Sequence, residues 1–69
     1  MKNHIFLHSK NIAEAEYHEG VLTLCFKSGH VYRYFGVPEY VFHELCIAPS
    51  AGHYFRENIR EEYDSEKIR

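Results

Sequence analysis

The chain has 69 residues, enough for one small core but not two, and it buries only roughly 60% of its unfolded surface on folding. A formal net charge of −2 argues against an unspecific nucleic-acid coat, which is basic overall, and leaves room only for a local basic patch. No apolar run reaches the length of a membrane helix or a secretory signal, so Cys25 and Cys46 are expected as free thiols in a reducing cytoplasm.

In chain order, residues 1–8 mix His, Phe, Ile and Leu without a clear period, which fits an irregular arm or an added edge strand. Residues 12–17 alternate, with Ala13, Ala15 and Tyr17 on one face and Glu14 and Glu16 on the other, the pattern of a half-buried strand. A turn at Glu19-Gly20 leads into a second strand at 21–26, which carries Leu22, Leu24 and Phe26 on one face. Lys27-Ser28-Gly29 turns the chain again into a third strand at 30–35.

Turn length sets the faces, because a one-residue slip moves every side chain across the sheet. A two-residue loop at Ser28-Gly29 sets Arg33 among the leucines. A three-residue loop with Gly29 in the left-handed region pairs Leu24 with Tyr32 and Leu22 with Tyr34, and burial favours it. The expected core face is therefore Ala13, Ala15, Tyr17, Leu22, Leu24, Phe26, Tyr32 and Tyr34. The reverse face carries Val21, Thr23, Cys25, Val31, Arg33 and Phe35.

Pro38 suits the start of a helix at 38–48 with Val41, Leu45 and Ala48 on one stripe and Phe42 and Cys46 beside it, and Pro49 stops it. Ser50 caps a second helix at about 51–62, where Phe55 and Ile59 form the apolar stripe. The charged end at 64–69 is expected to fray. The fold class is α+β: a three-stranded antiparallel meander followed by two helices packed on one face. The domain proper spans 9–63, with 1–8 as an arm or extra strand.

Six histidines, at 4, 8, 18, 30, 43 and 53, match no metal-ligand spacing, and neither cysteine belongs to a C-x-x-C pair, so no metal or other cofactor is expected. No nucleophile elbow or glycine-rich phosphate loop is present, and no catalytic residue is named. Two surfaces are candidates for binding. Lys27, His30, Arg33, Tyr54, Arg56 and Arg60 mix cations with rings, a combination suited to phosphates and stacked bases of RNA or another single-stranded nucleic acid. Against this, Glu57, Glu61 and Glu62 interleave with the arginines and would make an ion-paired helix face. The second surface is the strip Val21, Cys25, Val31 and Phe35, which either serves a protein partner or a homodimer contact, or is covered by Ile5, Phe6 and Leu7. Tyr32 and Tyr34 are read as core rings that specify the fold, with hydroxyls reaching the rim, the alternative being that one ring lines a ligand groove.

Five ordered blocks carry a family resemblance: Ser9-Lys10-Asn11-Ile12; Leu22-x-Leu24-x-Phe26-Lys27-Ser28-Gly29; Val31-Tyr32-Arg33-Tyr34-Phe35-x-Val37-Pro38; Ala48-Pro49-Ser50-x-Gly52-x-Tyr54-Phe55; and Asn58-Ile59-Arg60. Together they resemble the KTSC domain, named for its place at the C-terminus of some lysyl-tRNA synthetases, with Tyr-x-Tyr as its hallmark. The resemblance implies a small α+β domain of the kind that also stands free in bacteria and their phages. Its attachment to a synthetase implies RNA as a partner. It brings no catalytic residues, and Ala51 stands where members often carry Lys.

Overall fold

The computed structural model describes residues 3–69. Strands β1 (Asn3–Phe6), β2 (Ile12–His18), β3 (Val21–Phe26), β4 (Val31–Phe35) and β5 (Ser65–Lys67) form one antiparallel sheet in chain order. Helices α1 (Glu39–Ile47) and α2 (Ala51–Asn58) lie between β4 and β5 in the chain and contribute to the core on one face of the sheet.

The turns fix the register. Glu19 and Gly20 both have positive φ, +47° and +82°, which makes a two-residue turn of the mirror-image kind that matches strand twist. It sets Tyr17 opposite Leu22 and Ala15 opposite Leu24. At the next turn Gly29 takes φ +99°, and the Phe26 N–H donates to the His30 carbonyl at 2.8 Å. The three-residue loop is thus adopted, and Leu24 faces Tyr32 while Leu22 faces Tyr34. Ala15, Tyr17, Leu22, Leu24 and Tyr34 are buried as expected, and Phe26 and Tyr32 are half-buried against them.

One expected core residue is displaced. A bulge lets Ile12 pair with Phe26 while Glu14 pairs with Cys25, so Ala13 is the extra residue. Ile12 turns inward and is fully buried, whereas Ala13 is only half-buried. The Ser9 hydroxyl, accepting from the Asn11 and Ile12 N–H groups at 3.2 Å each, holds the chain where the bulge begins. The exchange puts the larger apolar side chain in the core.

Two strands join the three-stranded meander. β1 pairs with β2 along the sheet edge, Ile5 opposite Ala15, so Ile5 and Leu7 pack on the core while Phe6 faces outward. Residues 1–2 of the expected arm lie outside the described residues. The C-terminal residues expected to fray instead form β5, with Tyr32, Arg33 and Tyr34 opposite Lys67, Glu66 and Ser65. β5 is exposed throughout, so its side chains carry no alternation signal; it is held by main-chain bonds such as Phe35 N–H to the Asp64 carbonyl at 2.9 Å. Without it, β4 would present an unpaired edge.

The helices differ from expectation mainly at their ends. Pro38 is the N-cap of α1 and Val41, Phe42 and Leu45 are buried. The Ser50 hydroxyl accepts the His53 N–H at 3.2 Å, the predicted cap. α2 ends at Asn58, four residues short of 62. Ile59, fully buried, leaves helical geometry, and both its N–H and that of Arg60 donate to the Phe55 carbonyl. Anchoring Ile59 in the core redirects the chain towards β5 despite helix-forming Glu61 and Glu62. Among the described residues no helix is long and apolar enough to cross a membrane.

Candidate functional site

The cap of α2, the bulge segment before β2 and the β3–β4 turn meet at one end of the domain. The Lys27 N–H donates to the Asn11 carbonyl at 2.8 Å, tying the turn to the segment that carries Lys10. Gly52, in the first turn of α2, sits against the same segment: a Cβ there would lie 3.5 Å from Asn11 Nδ2 and 3.8 Å from Ser9 Oγ. Between them runs a groove of about 560 Å³ with Lys10, Lys27, Arg56 and Arg60 on its walls and Phe26 and Phe55 behind. It continues past Lys10 and Arg56 into a depression of about 350 Å³ that adds His8 and His53. On its other side, past Phe26, Phe55 and Arg60, it opens into a pocket of about 370 Å³ with His30, Tyr32 and Tyr34.

No Asp or Glu lines any of these three connected spaces. The expected ion-paired face is only partly present. Arg60 lies 3.7 Å from Glu61 and His53 3.9 Å from Glu57, all solvent-exposed and therefore weak. Arg56 reaches His53 Nδ1 at 3.3 Å, and Lys10, Lys27 and Arg56 have no carboxylate partner among the described residues.

Of the six residues expected to form the basic-aromatic surface, four come together: Lys27, His30, Arg56 and Arg60. Arg33 does not. It lies on the outer sheet face, opposite Thr23 and Glu66. Tyr54 does not either. Its hydroxyl donates to Glu44 Oε1 at 2.6 Å, joining α2 to α1 in a cleft with Glu57, Glu62 and Tyr63. Burial and the Glu44 bond push its pKa up. Lys10 was missed as a site residue. It is 17 positions from Lys27 in sequence, and only the tertiary bond through Asn11 makes them neighbours.

The aromatic pocket holds a hydroxyl without a protein partner. Tyr34 is 4% exposed, and its hydroxyl makes no hydrogen bond among the described residues. Among the described residues no fully buried side-chain oxygen or nitrogen lacks a partner, so the small exposed part of Tyr34 includes that hydroxyl. Burial pushes its pKa up to about 12; the adjacent Tyr32 adds to the rise and Arg60 opposes it. The ring stacks on Tyr32 at 6.3 Å and meets Phe55 edge-on at 5.6 Å. By contrast, the Tyr17 hydroxyl is satisfied, donating to the Val37 carbonyl at 2.5 Å.

The outer sheet face is not covered by β1, which extends the sheet sideways. Val21, Cys25 and Val31 are half-buried there and Phe35 is 40% exposed, and Phe6 joins them at 71%. They form no single strip, because the Glu16, Thr23, Arg33, Glu66 row crosses between Val21–Phe35 and Cys25–Val31. The histidines are dispersed: His4 bonds Glu14 at 2.7 Å, His43 approaches Glu39 at 3.3 Å and His18 lies 3.5 Å from Glu19. No metal-holding group of three His, Cys, Asp or Glu occurs among the described residues.

The sequence profile of the KTSC domain matches residues 8–63. Lysine–tRNA ligases from Nostoc sp. and Trichormus variabilis are each 47% identical over 47 residues, which is 68% of this chain. The chain spans only 8% of the length of those ligases. The crystal structure of a KTSC domain protein from Yersinia pestis superposes with a TM-score of 0.89 at 25% identity, covering 100% of both chains.

Proposed function

The chain belongs to the KTSC domain family, and we propose that it is a small RNA-binding module that holds single-stranded RNA in the groove between the β3–β4 turn and α2. The observation that carries this is the sorting of charge. In a chain of net charge −2, Lys10, Lys27, Arg56 and Arg60 converge on a groove that no carboxylate lines. Cations in such a groove attract a phosphate backbone, and neighbouring rings offer stacking surface to bases. The similarity to part of two ligases named for tRNA supports the same class of partner. We place the protein in the cytoplasm, where its free thiols Cys25 and Cys46 stay reduced. Fluorescence anisotropy with a labelled random-sequence RNA tests the proposal. Binding is expected with Kd of about 1–100 μM at physiological salt, the range of sequence-independent electrostatic association, and tighter at low salt. No anisotropy change at the top of that range would refute it.

Self-association through the outer sheet face is the second possibility, favoured by the exposure of Phe6 and Phe35. It requires a dimer in sedimentation equilibrium that Phe35→Glu dissociates. A monomer at high concentration removes it.

A further inference from the structure

We infer that the pocket behind Tyr32 and Tyr34 seats one unpaired nucleobase of the bound strand, with the Tyr34 hydroxyl hydrogen-bonding the edge of that base. The inference rests on the proposed RNA groove and assigns the part of the ligand that enters beyond it. A tyrosine buried this deeply ordinarily satisfies its hydroxyl within the protein, as Tyr17 does. Tyr34 does not, and it lines an open pocket that it shares with Tyr32, Phe55 and Arg60. The pocket falls within the volume range of small-ligand sites, about 300–1,000 Å³, and its walls are Phe26, Tyr32 and Phe55. Arg60, Ser28 and Ser65 supply further polar groups at its margin.

The walls favour a base over a simpler ligand. A lone inorganic anion would meet only Arg60 and His30 among the rings here, against four cations, Lys10, Lys27, Arg56 and Arg60, in the neighbouring groove. A planar, neutral, hydrogen-bonding group fits the rings and the hydroxyl together. Because Arg60, Phe26 and Phe55 border both spaces, a base in the pocket leaves its own phosphate in the groove. A base inside a duplex has both faces stacked and its edge paired, so only an unpaired one can enter.

The test compares a twelve-nucleotide mixed-sequence RNA, the same RNA annealed to its complement, and a nucleoside monophosphate as competitor, against wild type and Tyr34→Phe. The variant removes a hydroxyl without a protein partner, so its thermal midpoint should equal or exceed that of wild type. Its affinity for the single strand should fall about five- to tenfold, the worth of one hydrogen bond, while its affinity for the duplex stays unchanged. Tyr32→Leu, which removes a stacking surface, should also weaken single-strand binding. Equal binding of single strand and duplex by wild type, or unchanged single-strand affinity in Tyr34→Phe, would overturn the base pocket and leave the RNA groove standing. Competition by the monophosphate at concentrations comparable to the strand's would make the ligand a free nucleotide and overturn the strand assignment. Wild type that binds none of the probes would overturn both the groove and the pocket.

Discussion

The RNA binding proposed for the groove carries a quantitative salt dependence. Lys10, Lys27, Arg56 and Arg60 are its four cationic walls, and each phosphate neutralised on a single strand contributes about −0.7 to the slope of log K against log salt. Four contacts give a slope of about −2.8, so affinity should fall about 50-fold between about 50 and 200 mM salt. The double variant Lys27→Gln, Arg56→Gln removes two contacts, reducing the slope to about −1.4 and the fall to about sevenfold. Both side chains are exposed and form no ion pair to a carboxylate among the described residues, so the fold should be unaffected. Arg33→Gln is the internal control: it removes the same charge from the opposite face of the sheet and should leave the slope at its wild-type value. Anisotropy titrations at four salt concentrations measure all three proteins. A wild-type slope shallower than about −1, an unchanged slope in the double variant, or equal effects of Arg33→Gln and Arg56→Gln would refute the electrostatic groove.

Three further predictions concern the scaffold. Tyr17→Phe keeps the ring stacked on Phe42 but strips the buried Val37 carbonyl of its donor; urea unfolding should show a loss of about 1–3 kcal/mol, and an unchanged midpoint would mean that the bond contributes nothing. Glu19 sits at φ +47° beside Gly20, where Asn is better tolerated, so Glu19→Asn should stabilise by roughly 0.5–1 kcal/mol, read as a raised thermal midpoint. Stability should also decline in alkali. Tyr34 is held protonated up to about 12 in the folded state against an ordinary value of 10, so above pH 10 the unfolded chain releases this proton first and gains in population. The contribution is fully present below pH 10 and lost as pH rises through about 12. Denaturation on the two sides of pH 10 measures it, and Tyr34→Phe should flatten the loss; equal pH dependence in the two proteins would contradict the raised pKa of Tyr34.

Much of the architecture is local and therefore legible. The Glu19-Gly20 and Lys27-Ser28-Gly29 turns set the register of β2, β3 and β4, and with it the inward set Ala15, Tyr17, Leu22, Leu24 and Tyr34. The Ser50 cap and the helical spacing of Val41, Phe42 and Leu45 are likewise written in neighbouring residues. The family resemblance carried by the five sequence blocks is matched over residues 8–63.

What the tertiary structure alone decided lies where main-chain pairing or distant approach outweighs local pattern. β5 forms because β4 offers an open edge, and an exposed Ser-Glu-Lys stretch has no apolar period to reveal it. Ala13 loses its core place to Ile12 because a bulge exchanges a small side chain for a larger one at no cost to the pairing beyond it. α2 stops at Asn58 because burying Ile59 outweighs the helical preference of the residues after it. Composition listed the cations of the site, but not which of them meet: Lys10 joins Lys27 through one hydrogen bond at Asn11, while Arg33 and Tyr54 are carried to other faces. The Tyr-x-Tyr motif divides along the same line. Alternation along β4 puts both rings on one face and the three-residue turn at Lys27-Ser28-Gly29 points that face inward, whereas the open hydroxyl of Tyr34 depends on the absence of a partner in three dimensions, a property no spacing of residues encodes.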